Sequence, residues 1–116
     1  MQESILISIK KLLGITEDYE HFDTDIIMHI NTVFMVLMQL GVGPTNGFSI
    51  SDDSAVWSDF LTSNQQLEAV KTYMYLRVKM MFDPPQSGTV TQSTENLIKE
   101  LEFRLNVEVD PNDQHA

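Results

Sequence analysis

Four side chains between residues 21 and 29 are the first that invite chemistry: His21, Asp23, Asp25 and His29. Imidazole and carboxylate are ordinary metal donors, and Asp25 and His29 stand one helical turn apart. Two donors at that spacing recur on many helices, and acids at a helix start answer to the helix dipole without any metal. Asp52 and Asp53 lie between Ser51 and Ser54, which is turn chemistry, and the ligand spacing of a calcium loop is missing. Glu100 and Glu102 are expected on a solvated helix face, not as a paired acid and base. No phosphate-binding glycine loop or nucleophile motif occurs. The absence of cysteine removes thiolate nucleophiles, zinc–thiolate sites, iron–sulfur clusters and disulfides together. The residues thus predict no catalytic, cofactor or metal site, and no enzyme.

The elements that carry these residues are helical. At 116 residues and 13.2 kDa the chain is one domain's worth, large enough for a modest core. Periodicity predicts a helix over residues 2–13, with Ile5, Ile9, Leu12 and Leu13 on one face and Gly14 as its C′ residue. A second helix starts with Asp23 as N-cap and places Ile26, Ile30, Val33, Leu37 and Leu40 at three- and four-residue steps. Gly41 and Pro44 stop it. The rhythm then breaks between residues 43 and 63. Either two short strands flank the Asp52-Asp53 turn as a β-hairpin, or a surface loop is anchored by Trp57 and Phe60. Ser63 and Gln66 have capping-box spacing for a third helix that runs to Phe82. Ser87 caps a fourth that runs to Val107. The expected fold is all-α, a small four-helix domain with a hairpin or loop insertion between helices two and three. One domain spans residues 1–110, and residues 111–116 form a flexible tail.

Two helices carry more apolar surface than a monomer needs. The third has one stripe from Leu67, Val70, Met74, Val78 and Met81, and a second from Tyr73, Leu76 and Met80. A surface helix needs one stripe about 100° wide, so this one is expected to be central and the most buried element. On the fourth helix Val90, Thr94, Leu97, Leu101 and Leu105 share a face, while Phe103 and Val107 fall on the opposite side. Phe103 and Val107 are therefore candidate contacts for a neighbouring subunit or partner, with Tyr73, Leu76, Met80, Trp57 and Phe60 as further candidates. Seven methionines, Met35 and Met38 among them, add adaptable apolar surface.

Seventeen acids against seven bases give a net charge of −10. Such a chain cannot hold a phosphate backbone, or an anionic membrane, through its average field. At 42% hydrophobic and 21% charged residues it is nonetheless a folding chain. Neither a membrane span nor the basic start of a signal peptide is present, and an intracellular location is expected.

Several segments have a familiar wording: Lys10-Lys11-Leu12-Leu13-Gly14, Phe22-Asp23-Thr24-Asp25-Ile26-Ile27, Leu40-Gly41-Val42-Gly43-Pro44, Trp57-Ser58-Asp59-Phe60, Phe82-Asp83-Pro84-Pro85 and Glu100-Leu101-Glu102-Phe103-Arg104. Over nearly its whole length the chain resembles the small head-tail connector proteins of tailed bacteriophages, also known as DNA-packaging proteins of siphophages and prophages. The stretch from Gly88 to Thr94, rich in Gly, Thr and Ser, departs from that pattern at the start of the last helix. The resemblance implies a structural neck protein, with no catalytic role, in a ring of about a dozen copies beneath the portal protein. Such a ring extends the DNA channel, lets DNA pass without specific binding, and supports the next neck or stopper protein. It further implies assembly in the host bacterial cytoplasm and a final place in the virion neck. The competing reading, from another class, is an acidic DNA mimic or small inhibitory protein. Mimicry needs carboxylates spaced like phosphates along one surface, whereas here they gather in residues 17–25 and 52–59.

Overall fold

The computed structural model describes residues 3–62 and 64–109, with the side chains of Asn64 and of residues 107–109 left aside. Five helices occur among the described residues: α1 (Ile5–Leu12), α2 (Asp23–Gln39), α3 (Trp57–Phe60), α4 (Asn64–Phe82) and α5 (Gly88–Val109). The fold is all-α. The insertion between α2 and α4 is a loop closed by the single turn of α3, and its one β feature is an isolated bridge between Ser4 and Val56.

The helix ends follow from local chemistry. Ser4 caps α1, its hydroxyl accepting the Ile7 N–H at 3.2 Å, so the helix begins three residues later than its periodicity suggests. At the other end Gly14 turns to φ +84°, the Ile15 N–H donates to the Lys10 carbonyl at 2.8 Å, and the Gly14 N–H donates to that of Lys11 at 3.1 Å. This is a Schellman motif, and α2 ends the same way at Gly41, with the Val42 N–H on the Leu37 carbonyl at 2.9 Å. Val42 and Leu37, brought together by that turn, are both buried. Ser87 caps α5, accepting the Val90 N–H at 3.3 Å. Ser63, expected to cap α4, lies outside the described residues.

The start of α2 departs from expectation. Phe22 occupies the N-cap position with no side-chain cap bond, and Asp23 is the first helical residue. The Asp23 carboxylate is instead drawn to the Lys10 ammonium at 2.8 Å. Lys10 is only 1% exposed and also donates to the Glu17 carbonyl at 3.0 Å. A buried charge is tolerated only when paired and hydrogen-bonded. This one ties the end of α1, the acidic loop and the start of α2 into one unit.

The loop over residues 43–56 is anchored at three places. The Asn31 side-chain amide donates to the Ile50 carbonyl at 2.9 Å and its oxygen accepts the Ile50 N–H at 2.8 Å, pairing with that backbone as a neighbouring strand would. The buried Trp57 indole donates to the Ser8 hydroxyl at 2.9 Å. The rings of Phe34, Phe48 and Phe60 meet at centroid distances of 4.7 to 5.4 Å. Gly43, at φ +87°, lies against Phe60 so closely that a Cβ there would overlap the ring. In the same loop the Ser54 hydroxyl and N–H both donate to Asp52, which holds its carboxyl below the usual carboxylate range.

α4 packs on α1, α2 and α5. Its Val70, Met74 and Val78 are buried, and so is Tyr73 on the second stripe, while Leu76 and Met80 are half-buried and Met81 is 39% exposed. α4 is central in its contacts, as two stripes require. It is not the most buried element, since Ile5, Leu6, Ser8, Ile9 and Lys10 are buried in the eight residues of α1. α5 is held to α4 by the buried Ile98 and Leu105 and by a polar latch. The Tyr73 hydroxyl donates to the Glu102 carboxylate at 2.7 Å, and Arg77 stands 3.6 Å from the same oxygen, its guanidinium 5.7 Å from the Tyr73 ring centroid. Glu102 is thus a half-buried partner of α4, not part of the solvated face expected for it.

Three outcomes follow for chemical-denaturation measurements. Met74→Ala should cost roughly 2–4 kcal/mol by opening a cavity beneath α2. Asp23→Ala should cost about 3 kcal/mol, because it leaves the buried Lys10 ammonium without its counter-ion. Burial and the bond to Glu102 raise the Tyr73 phenol above its ordinary value. A raised phenol favours the protonated native state, so its contribution is intact below about pH 10 and is lost as pH rises beyond that. Native stability should therefore hold up to about pH 10 and fall as pH rises above it, and Tyr73→Phe should lessen the fall.

Candidate assembly surface

The candidate metal donors are dispersed into other work. Asp23 is committed to Lys10, the His21 ring packs on Phe22 at 4.8 Å between centroids, and His29 lies 6.5 Å from Phe82. Asp25 is exposed and has no ion-pair partner among the described residues. No group of three His, Cys, Asp or Glu side chains there is placed to hold a metal ion.

The candidate contact residues separate into two sets. Trp57, Phe60 and Tyr73 are buried within the protomer, so their rings are spent on the fold and only the opposite edges of their elements face outward. Leu76 is half-buried against the core, and Met80 is half-buried at a cleft. Phe103 is different: it is 70% exposed on the outer side of α5, away from Ile98 and Leu105. The side chain of Val107, expected beside it, lies outside the described side chains.

The cleft, about 520 Å³, opens between the second half of α4 and the middle of α5. Met80, Met81 and Ile98 make its apolar wall, and Arg77, Lys99, Glu95 and Glu102 make its rim. It exists because α5 is drawn onto α4 near Tyr73 and Leu105, while its first half carries mostly exposed residues, Val90 and Leu97 among them at 50% and 42%. Two acids and two bases on the rim leave it without net charge, and no pair of groups is set for proton transfer.

A second apolar face is built from methionines, two of which, Met35 and Met38, the sequence marks only as adaptable apolar surface. Met28 and Met35 on α2 are 60% and 58% exposed, with Met38 at 37%. They lie seven and three residues apart on the side away from Ile26, Ile30 and Val33. The spacing of Met28 and Met35 was the available signal, since two turns of helix return a side chain to nearly the same face.

Charge is distributed unevenly over this surface. Of the seven basic side chains, Lys10, Lys71, Arg77, Lys79 and Arg104 stand in ion pairs, leaving Lys11 and Lys99 unpaired among the described residues. What faces solvent is therefore mainly carboxylate, notably Glu17, Asp18, Glu20, Asp25 and Asp53. No helix among the described residues is long and apolar enough to cross a membrane.

The site is thus a set of exposed apolar faces on an acidic helical body, the features of a part that assembles. Comparison with curated proteins finds no match, and comparison with solved structures finds none. The family model described as phage connector protein matches residues 5–112, from the first turn of α1 to beyond α5. That span covers nearly the whole chain, and the chain belongs to the phage connector protein family.

Proposed function

We propose that this protein is the head-tail connector of a phage neck, forming a ring below the portal that extends the DNA channel and joins head to tail. The observation that carries this reading is Phe103, a large aromatic 70% exposed on the outer side of α5 in a chain of a structural connector family. A ring of about a dozen copies, matched to the portal, needs the same contact repeated between neighbours. The proposed partners are the portal protein on one side and the next neck or stopper protein on the other. Assembly takes place in the host cytoplasm, and the ring ends in the virion neck. The net charge of −10, with most basic side chains neutralised by ion pairs, supports passage of DNA without binding, since negative walls repel phosphates. The same charge opposes closing a ring in free solution, so self-association is weak until the portal templates it.

Phe103→Ser should change the thermal unfolding of the isolated protein little, by about 0.5 kcal/mol or less, because the ring supports no core residue. The same variant should block ring formation and the production of tailed particles, since a buried aromatic anchor is worth about 2 kcal/mol or more at an interface. A loss of roughly 3 kcal/mol in the monomer would place Phe103 in the core instead. Raising salt shortens the range of subunit repulsion below the physiological Debye length of about 8 Å and should shift light scattering toward oligomers. A strict monomer at every salt and protein concentration, even with portal present, would contradict the reading.

A further inference from the structure

We infer that two faces of this chain are complementary to one another across neighbouring copies: the outer face of α5, with Phe103 and, at its edge on the cleft rim, Lys99, and the outer face of α2, with Met28, Met35 and Asp25. The inference rests on the proposed ring and names the surfaces that make it. Within one protomer the two faces cannot meet. α2 turns Ile26, Ile30 and Val33 inward and α5 turns Ile98 and Leu105 inward, so the outer side of each helix points away from the shared core.

Each face carries an apolar anchor and, one turn away, a charged side chain that stands in no ion pair among the described residues. On α5 the anchor is Phe103 and the charge is Lys99, one of the two basic side chains without an ion pair among the described residues. On α2 the anchor is Met28, extended by Met35, and the charge is the exposed, unpaired Asp25. The signs are opposite. The offsets also agree: at 1.5 Å per residue, Lys99 and Phe103 are about 6 Å apart along α5, and Asp25 and Met28 about 4.5 Å along α2. With the two helices running in the same direction, a Lys99–Asp25 pair sets Phe103 over Met28, a sulfur–aromatic contact of the kind methionine favours. The flexible thioethers let one aromatic seat without an exact pocket. Because the two faces differ, the contact is heterologous: every copy offers both, and repetition closes a ring or extends a chain.

The absence of cysteine makes the test clean. Cysteines at Met28 and Phe103 in one chain, oxidised at raised salt and high protein concentration, should give a ladder of dimers, trimers and larger species on a non-reducing gel. A mixture of Met28→Cys chains with Phe103→Cys chains should stop at the dimer, because each chain then has one reactive face. Glu68→Cys combined with Phe103→Cys, which adds an exposed position on α4 and not on α2, should give no ladder. Reversing one charge, Lys99→Asp or Asp25→Lys, should weaken ladder formation several-fold, and the double reversal should restore it. Thermal unfolding of each variant at the wild-type temperature establishes that the fold is intact. A double-cysteine chain that oligomerises by light scattering yet forms no ladder would overturn the pairing of these faces while leaving the ring standing. Met28→Cys chains that cross-link to one another as readily as to Phe103→Cys chains would overturn it in favour of a symmetric contact. Absence of any oligomer, with or without portal, would remove the ring and the inference with it.

Discussion

Burial of α4 on two sides is the constraint on which the rest of the structure depends. One stripe of that helix, Val70, Met74 and Val78, is covered by the body that α1 and α2 form. The other, led by Tyr73, needs α5, whose Leu105 and Ile98 close it. α5 is thereby used as a lid on one face alone. Its opposite face has no work within the protomer, and Phe103 stands there in solvent. The exposed anchor is thus a consequence of how the core is closed: a short chain that spends its last helix covering a two-sided one leaves that helix half-covered.

Electrostatics reinforce the same division. The buried Lys10 and the half-buried Arg77 each hold a junction, the first between α1, the acidic loop and α2, the second between α4 and α5. Positive charge is concentrated in these joints and in exposed pairs such as Lys79 with Asp83. Most of the acids that have no such partner lie in the loops, while Asp25 stands on α2 and Glu95 on α5. The result is a body whose joints are closed by ion pairs and whose exposed surface is mainly anionic, which supports the proposed role beside passing DNA.

Much of this was legible in the sequence because it rests on local rules. Gly14 and Gly41 end their helices as left-handed C′ residues, and Ser87 caps α5, each a matter of a few neighbouring residues. The two stripes of α4 and the isolated position of Phe103 follow from helical period. What was not legible depends on partners far along the chain. Asp23 reads as an N-cap until Lys10, thirteen positions earlier, claims its carboxylate. Glu102 reads as a surface acid until Tyr73 and Arg77 reach it from another helix. The loop over residues 43–56 reads equally as strands or coil because Asn31, a side chain, supplies the pairing that a strand would. Trp57, Phe60 and Tyr73 read as large apolar groups whose side of burial periodicity alone does not assign.

The central claim is that this acidic helical body is built to assemble on a portal. Sedimentation velocity of the protein mixed with portal rings from the same phage tests it most directly. The account predicts that the 13.2 kDa species leaves the slow boundary and joins the portal in one complex, on the order of a dozen copies per ring. A boundary at the position of the free protein, unchanged at every ratio and salt concentration, would contradict it.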